Sequence, residues 1–398
     1  MYAVSAENAL HLVTVAPGKV AARKADVARD DLEKLVSAYR LALQDPALDP
    51  RPAAKAVYDA AFGPVEADLK GAGATTIMLS LDGALRYAPF ASLWDGEKFL
   101  VERYPTVEFT RSTPARMKAS AAAASASATE PAYTSASASA TLPASASATA
   151  PVLSRRKPSA MALGVTAAWP GFPALPGVAA EIAAVVGAGE TPGALAGESF
   201  LDAAFDRGAL SRSLASDAPV VHVASHFLLD PGSAEGSVLL LGDGGKLSLR
   251  EIGRSPDFDF KGLDLLTLSA CATGAGSGRR RDGREVESLG EIVQRAGASA
   301  VLATLLPVDD LSAPEFMREF YRLRYTEGLD KAEALRRSQL SVMRDLTAEP
   351  SPRRGIPLDV GGAAAPSGTA AAPPPAWDGK GFSHPYFWAP YVLMGDWK

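Results

Sequence analysis

The chain has 398 residues, which is long enough for one large domain or two smaller ones with a substantial hydrophobic core. Apolar residues make up 47% and charged residues 21%, values that are ordinary for a soluble globular protein. The formal net charge of -5 provides no overall basic field, so neither nucleic acid nor an acidic membrane is an expected partner. The single cysteine excludes an internal disulfide, and we find neither a signal peptide nor a membrane-spanning run, so we expect a cytoplasmic protein.

Apolar residues recur along the chain with the spacing of alternating strands and helices. Helices are predicted over 26–44, 179–186, 288–296, 312–325 and 330–346, and strands over 75–81, 161–165, 220–225, 263–269, 300–305 and 391–394. Capping boxes are predicted at Ser288 with Glu291 and at Ser312 with Glu315. The alternation predicts an α/β fold with a mostly parallel central sheet that is flanked by helices on both faces.

Two stretches of low complexity interrupt this pattern, at about 118–151 and 347–381. The first consists almost wholly of Ala, Ser, Thr and Pro, and the second has a similar composition. Such segments bury too little apolar surface to offset the entropy of ordering, so we expect mobile insertions in surface loops. The predicted organisation is an N-terminal helical segment over 1–74 that packs on one α/β domain over 75–398.

Two of the predicted strands end in residues that are suited to nucleophilic catalysis. The apolar run 263–269 leads into Cys271 and a glycine-rich loop, and the run 220–225 ends at His226. Strand ends of an open parallel sheet are where α/β proteins place reactive side chains. The spacing is close to that of caspases, whose histidine precedes the cysteine by about 50 residues. The alternative is that Cys271 is a buried structural thiol, which is common for a lone cysteine.

Several motifs, in order along the chain, resemble the CHAT family of caspase-like cysteine peptidases. They lie at 82–90, 100–104, 221–226, 268–274, 296–298, 306–310 and 384–390. The resemblance covers nearly everything except the two low-complexity stretches and the first 25 or so residues. It implies the α/β sandwich of caspases and separase, with 75–398 as the peptidase domain. It also implies a protein substrate, no metal and no organic cofactor.

The same resemblance assigns roles to individual residues. Cys271 is the expected nucleophile and His226 the expected general base and acid, with the backbone N–H groups of Cys271 and Phe227 holding the oxyanion. In related peptidases an acidic residue after the corresponding strand binds a basic P1 side chain, which favours Asp310 here and then Asp309. We therefore expect cleavage after Arg or Lys. The alternative for the acidic pair is that one aspartate caps the helix that begins near Ser312.

The chain departs from the family pattern at three positions. Phe227 stands where the family usually has glycine, Ala272 where it has glutamate, and Leu306 where it has tryptophan. If position 227 requires a positive φ, phenylalanine would be strained there. These departures motivate a second hypothesis, in which the chain is a catalytically silent CHAT module that acts as a protein-interaction scaffold.

A basic loop, 278–284, follows the cysteine in the place where caspases are cut between their large and small parts. Cleavage of one copy by another after Arg281 or Arg284 is one hypothesis for it, and a solvated basic loop is the other. The resemblance also implies regulation by partner domains, often helical repeats. We find no such repeats in this sequence, so we expect that a sensor or activator is either a separate protein or absent.

The remaining histidines have simpler predicted roles. His222 is expected to be a core histidine and His384 to order the last strand. The residues around His11 indicate no role for it. Four scattered histidines and one cysteine do not have the spacing of a zinc site.

Overall fold

The computed structural model describes residues 1–114, 117–118, 158–230, 233–269, 272–273, 284–345, 376–379 and 381–398. Most of the two low-complexity stretches, together with Cys271 and Arg281, lies outside these described residues.

The N-terminal region combines a β-meander with helices. Strands β1 (Tyr2–Ser5), β2 (Leu10–Ala16) and β3 (Lys19–Ala25) pair antiparallel, and helices α1 (Arg29–Gln44), α2 (Arg51–Ala61) and α3 (Gly63–Gly71) follow. The expectation of a purely helical segment is therefore wrong for residues 2–25. The physical reason is a period of two that the sequence analysis overlooked, since Leu10, Leu12 and Thr14 face inward and alternate with more exposed residues. Gly18, with φ +71°, closes the turn between β2 and β3.

The remaining strands and longer helices follow in chain order. They are β4 (Ile77–Leu79), α4 (Leu100–Arg103), β5 (Thr106–Glu108), β6 (Ser159–Gly164), α5 (Val178–Val186), β7 (Ala196–Leu201), α6 (Arg207–Leu214), β8 (Val220–Ala224), β9 (Phe227–Asp230), β10 (Ser233–Leu240), β11 (Lys246–Ser248), α7 (Leu249–Arg254), β12 (Leu265–Leu268), β13 (Ala272–Thr273), α8 (Arg284–Ala296), β14 (Ala300–Thr304), α9 (Ser312–Tyr321), α10 (Lys331–Asp345) and β15 (Tyr391–Gly395).

Eight of the described strands form the central sheet, in the order β4-β5-β15-β14-β12-β8-β6-β7. Neighbouring strands are parallel except for the antiparallel pair β14 and β15. A second, smaller sheet has the order β11-β10-β9-β13 and continues from the ends of β8 and β12. The mostly parallel α/β architecture predicted from the sequence is confirmed, and it is the caspase-like sandwich that the resemblance implied.

Both faces of the central sheet are covered. Every residue of β8, β12 and β14 is buried, as expected for parallel strands between two layers of helices. Val223 and Leu268 pack in one core cluster with residues of α6, α7 and α8. Val220 and Leu302 pack in another with residues of α9 and α10. This burial fixes the two central strands that lead to the predicted site.

Most predicted elements are confirmed, but the two predicted capping boxes are wrong. Helix α8 begins at Arg284, so Ser288 lies inside the helix rather than at its start. Helix α9 begins at Ser312, so the residue at its N-cap position is Leu311, which makes no capping hydrogen bond with its side chain. Among the described residues, no helix has the combined length and apolar character needed to cross a membrane.

Candidate active site

The candidate site lies where two parallel neighbours, β8 and β12, end at the same edge of the central sheet. Val223 pairs with Leu268, and each lies three residues before its predicted catalytic residue, His226 or Cys271. Just beyond, β9 and β13 also pair in parallel, with Leu228 opposite Ala272. Cys271 itself lies outside the described residues. Leu268 and Ala272, on either side of it in sequence, pair with Val223 and Leu228, on either side of His226, with a register shift of one residue between the two pairs.

The imidazole of His226 is almost fully buried and is oriented by a backbone carbonyl. Its side chain is 3% exposed, and its Nε2 atom lies 2.7 Å from the carbonyl oxygen of Pro173. Because a carbonyl oxygen can only accept, Nε2 must carry a hydrogen, and Nδ1 then holds the lone pair of the neutral ring. The ring of Phe172 packs against His226 with centroids 5.2 Å apart. The contact with Pro173 thus sets the tautomer that a general base requires.

The loop over residues 166–177 supplies both of these contacts. Trp169 and Phe172 exchange backbone hydrogen bonds of 2.9 and 2.7 Å around a turn in which Gly171 has φ +83°. Lys246 lies over the ring of Phe172, 5.1 Å from its centroid. Sequence analysis missed this loop. A Pro-Gly pair between two aromatic residues is typical of a turn, but no side-chain pattern shows that a backbone carbonyl will contact a distant histidine.

Phe227 is accommodated without backbone strain. It begins the extended strand β9 and is absent from the described residues that have a positive φ, so the expected strain does not occur. Leu240 N–H donates to the carbonyl of His226 at 2.9 Å, which makes Phe227 and Leu239 a non-hydrogen-bonded antiparallel pair. The N–H of Phe227 consequently faces away from β10, toward the side on which β13 pairs.

The side chain of Phe227 has a structural reason to be large. It is 1% exposed and lines an apolar cavity of about 20 Å³ with residues that include Val223, Leu268 and Leu289. The cavity is only about the size of one water molecule. The ring of Phe227 fills space beside it, and a glycine at this position would leave a larger void.

The two adjacent aspartates have different surroundings. Asp309 is fully buried, and its Oδ1 accepts hydrogen bonds from the N–H groups of Leu311 at 3.0 Å and Ser312 at 2.9 Å. Burial raises the pKa of Asp309, and the neighbouring charge of Asp310 adds to that effect, although the hydrogen bonds oppose it. The helix-capping alternative is therefore confirmed for Asp309, which takes the role that the sequence analysis gave to Ser312.

Asp310 lies against the loop that orients His226. A Cβ atom built on Gly177 would lie 2.3 Å from Oδ1 of Asp310, so the carboxylate packs directly on that glycine. Gly177 directly precedes α5 and is four residues from Pro173. Asp310 and His226 thus contact the two ends of one short segment, while the specificity role of either aspartate stays a prediction.

The other predicted residues are separate from this edge or outside the described part. His222 lies in the middle of the sheet, where its Nδ1 is 3.0 Å from the hydroxyl of Tyr321 and its Nε2 is 3.3 Å from Oε1 of Glu181. Arg284 is the first residue of α8, and Arg281 is not among the described residues. Within the described ranges, no three His, Cys, Asp or Glu side chains are grouped so that they could hold a metal ion.

Comparison with known families gives one match. The model of the CHAT domain matches residues 51–396, which is most of the chain. A comparison with curated proteins gives no significant match.

Proposed function

The chain belongs to the CHAT domain family, which is related to caspase-like cysteine peptidases, and we propose that it is a cysteine endopeptidase with a dyad of Cys271 and His226. The strand register is the observation that supports this most directly. Leu268 pairs with Val223 and Ala272 pairs with Leu228, so continuing the first register would place Cys271 opposite His226 and continuing the second would place it opposite Phe227.

The chemistry follows from the tautomer of His226. Nδ1 takes the thiol proton of Cys271, and the thiolate attacks the scissile carbonyl to form a tetrahedral intermediate. The imidazolium then gives its proton to the departing amine as the C–N bond breaks, which leaves a thioester. Water, deprotonated by His226, hydrolyses the thioester and regenerates the thiol. The hydrogen bond to Pro173 O is available throughout, because Nε2 keeps its proton in both states of the ring.

The N–H groups of Phe227 and Cys271 are the proposed oxyanion donors. The N–H of Phe227 faces the β13 side, so it points toward the region where the attacked carbonyl would lie. Two backbone donors of this kind stabilise the charge that develops on the oxygen in the transition state.

Cleavage after arginine or lysine is the proposed specificity, with Asp310 as the principal acidic partner. Asp310 fits this role better than Asp309, because the Oδ1 atom of Asp309 already holds the start of α9. A guanidinium can form a bidentate, charge-assisted pair with such a carboxylate.

The test is intact-mass measurement after reaction with an arginine-directed, cysteine-reactive peptidyl ketone. We expect one adduct on Cys271 in the wild-type protein and much slower labelling in His226→Ala, whereas the control variant His11→Ala, which changes an exposed residue of β2, labels normally. Lysine and aspartate versions of the probe, applied to wild type and Asp310→Asn, measure the P1 preference. Absence of any adduct, while a small thiol reagent still reaches Cys271, would reject a peptidase that is active without an activator protein.

A catalytically silent CHAT module that binds partner proteins is the second candidate. The observation that favours it is the outer face of the β1–β3 meander, which exposes Tyr2 (42%), Val4 (52%), Val15 (57%) and Val20 (70%). The peptidyl ketone separates the two candidates, since a silent module reacts with neither the arginine nor the lysine probe.

Processing of one copy by another at the basic loop remains a further proposal. Arg284 already belongs to a helix, and peptidases bind their substrates in extended form, so we propose a cut after Arg281 rather than after Arg284. Intact mass after prolonged incubation, compared between wild type and Cys271→Ala, tests it, because an uncut chain with a proven active site would reject processing. A separate activator protein is proposed on family grounds alone.

A further inference from the structure

Asp202 has a strained backbone close to the candidate site. Its φ of 48° is the only positive value among the non-glycine residues that the structure describes. A left-handed conformation costs a non-glycine residue free energy, and it persists where surrounding contacts hold it in place. Asp202 directly follows β7, the edge strand that pairs with β6.

The carboxylate of Asp202 holds the beginning of the 166–177 loop. Oδ1 accepts hydrogen bonds from the N–H groups of Thr166 at 2.7 Å and Ala167 at 3.1 Å, and Oδ2 accepts one from the hydroxyl of Thr166 at 2.6 Å. Burial by itself would raise the pKa of Asp202, but these hydrogen bonds outweigh it and lower that pKa below its ordinary value. The carboxylate is therefore ionised, and it holds the loop through three hydrogen bonds.

The backbone of Asp202 also contacts the turn between β10 and β11. A Cβ atom on Gly242 would lie 1.8 Å from the carbonyl oxygen of Asp202, so that position requires glycine. On the same turn, the ring of Trp169 packs on Gly244, where a Cβ atom would lie 2.4 Å from the ring. Asp202 thus lies between the loop and the turn, and Trp169 joins the two a second time.

The turn between β10 and β11 is also connected to His226, through the end of β10. Leu240, at the end of β10, donates its N–H to the carbonyl of His226 at 2.9 Å and accepts from the Ser225 hydroxyl at 2.6 Å. A closed path of contacts therefore runs from Asp202 through the loop to Pro173 and His226, and back through Leu240 and the turn to Asp202.

We propose that Asp202 is a positioning residue, which fixes the 166–177 loop so that the Pro173 carbonyl selects the Nε2–H tautomer of His226. Its effect on peptide hydrolysis rests on the proposed function, but its effect on the imidazole does not. Asp202 touches no reacting atom in this proposal and acts only through the loop.

Two substitutions separate the carboxylate from the backbone conformation. Asp202→Gly removes the three hydrogen bonds and at the same time relieves the strain at positive φ, so the fold is expected to survive. Asp202→Asn tolerates the same φ, and its amide oxygen can still accept from the loop N–H groups. We expect Asp202→Gly to lower the labelling rate of Cys271 by the order of 10²-fold through misplacement of the base, and Asp202→Asn to restore most of that loss.

The decisive measurement is the ¹⁵N chemical shift of the His226 ring nitrogens, assigned by substituting each of the four histidines in turn. We expect a protonated Nε2 and an unprotonated Nδ1 in wild type and in Asp202→Asn at pH 7.5, and averaged values in Asp202→Gly. His222 serves as the internal control and keeps its shifts.

The proposal is overturned if Asp202→Gly keeps the wild-type tautomer of His226, or if His222 changes equally, which would indicate general loss of structure. If the tautomer of His226 differs between wild type and Asp202→Gly as predicted, but the wild-type protein never reacts with the peptidyl ketone, the proposed function fails and the positioning role stands.

Discussion

The middle of the central sheet and its carboxyl end each hold a buried histidine, and they hold it by different kinds of partner. In the middle, His222 contacts two side chains, the hydroxyl of Tyr321 and the carboxylate of Glu181, and all three residues are fully buried. At the carboxyl end, His226 contacts the backbone carbonyl of Pro173. The capping and loop-holding carboxylates there, Asp309 and Asp202, likewise accept mainly from backbone N–H groups.

The two kinds of partner respond differently when the histidine gains or loses a proton. A histidine that contacts a buried carboxylate changes the net charge of that buried pair whenever it gains or loses a proton, which is costly in a low-dielectric interior. A histidine on a neutral carbonyl keeps the same hydrogen bond whether its second nitrogen is protonated or not. The carboxyl end is therefore suited to proton transfer and the middle to stability, although both histidines lie within one stretch of five residues.

The largest expected effect tests the catalytic half of this comparison. Substituting His226→Gln leaves an amide that can still donate to the Pro173 carbonyl but cannot take a proton from Cys271. We expect the labelling rate to fall by about 10²- to 10⁴-fold, the usual contribution of a general base, while the urea midpoint changes little. A large drop in the midpoint would mean that His226 is a structural residue like His222.

Substitution of His222 tests the middle of the sheet. His222→Ala removes the imidazole that contacts the buried carboxylate of Glu181 and leaves a cavity in the core, so we expect the free energy of unfolding to fall by about 2–5 kcal/mol, with His11→Ala as an exposed control. In Glu181→Ala/His222→Ala the loss is smaller than the sum of the two single losses, since each single substitution already removes the shared contact. An additive double mutant in urea denaturation would contradict the pairing.

Some of the strands could be predicted from the sequence, because they have a clear hydrophobic pattern. The strands that end near His226 and Cys271 are continuous apolar runs between turn residues, so their positions and their parallel pairing followed from pattern alone. The β1–β3 meander was missed because its alternation is mixed with small and basic residues. The short strands β9, β11 and β13 have too few residues to show a period.

The partners within the site were harder to predict, because they are set by tertiary contacts. The contact of His226 with Pro173 joins residues that are 53 positions apart through a backbone carbonyl, which has no sequence signature. At the start of α9, Ser312 and Asp309 both had cap-forming side chains within reach, and only the course of the chain decides for Asp309. The role of Asp202 depends on a backbone angle that the residue type alone does not indicate.

A third buried histidine, His384, offers a pH-dependent comparison, because both of its ring nitrogens contact backbone groups. Its Nδ1 accepts from the N–H of Tyr386 at 3.0 Å, and its Nε2 lies 3.0 Å from the carbonyl of Leu48. Burial lowers its pKa from 6.5 to about 4. Between these values the unfolded chain takes up a proton that the folded chain refuses, so stability is lost as the pH falls.

We expect that loss to approach about 3 kcal/mol by pH 4. In His384→Asn, whose side-chain oxygen can still accept from Tyr386, the free energy of unfolding should depend less on pH between 6.5 and 4. Urea denaturation of both proteins across this range measures the difference, and parallel curves would contradict the assignment.

The smallest expected effect separates the two adjacent aspartates at the carboxyl end. Asp309→Ala removes the acceptor for the first N–H groups of α9 and should cost about 1 kcal/mol of unfolding free energy. Because the raised pKa of Asp309 means that ionising it costs the folded state stability as the pH rises, Asp309→Asn should be at least as stable as wild type at neutral pH. Asp310→Asn should leave stability nearly unchanged and instead weaken the preference for arginine over aspartate probes. If Asp309→Asn rather than Asp310→Asn abolished that preference, the aspartate that caps the helix would also be the one that reads the substrate.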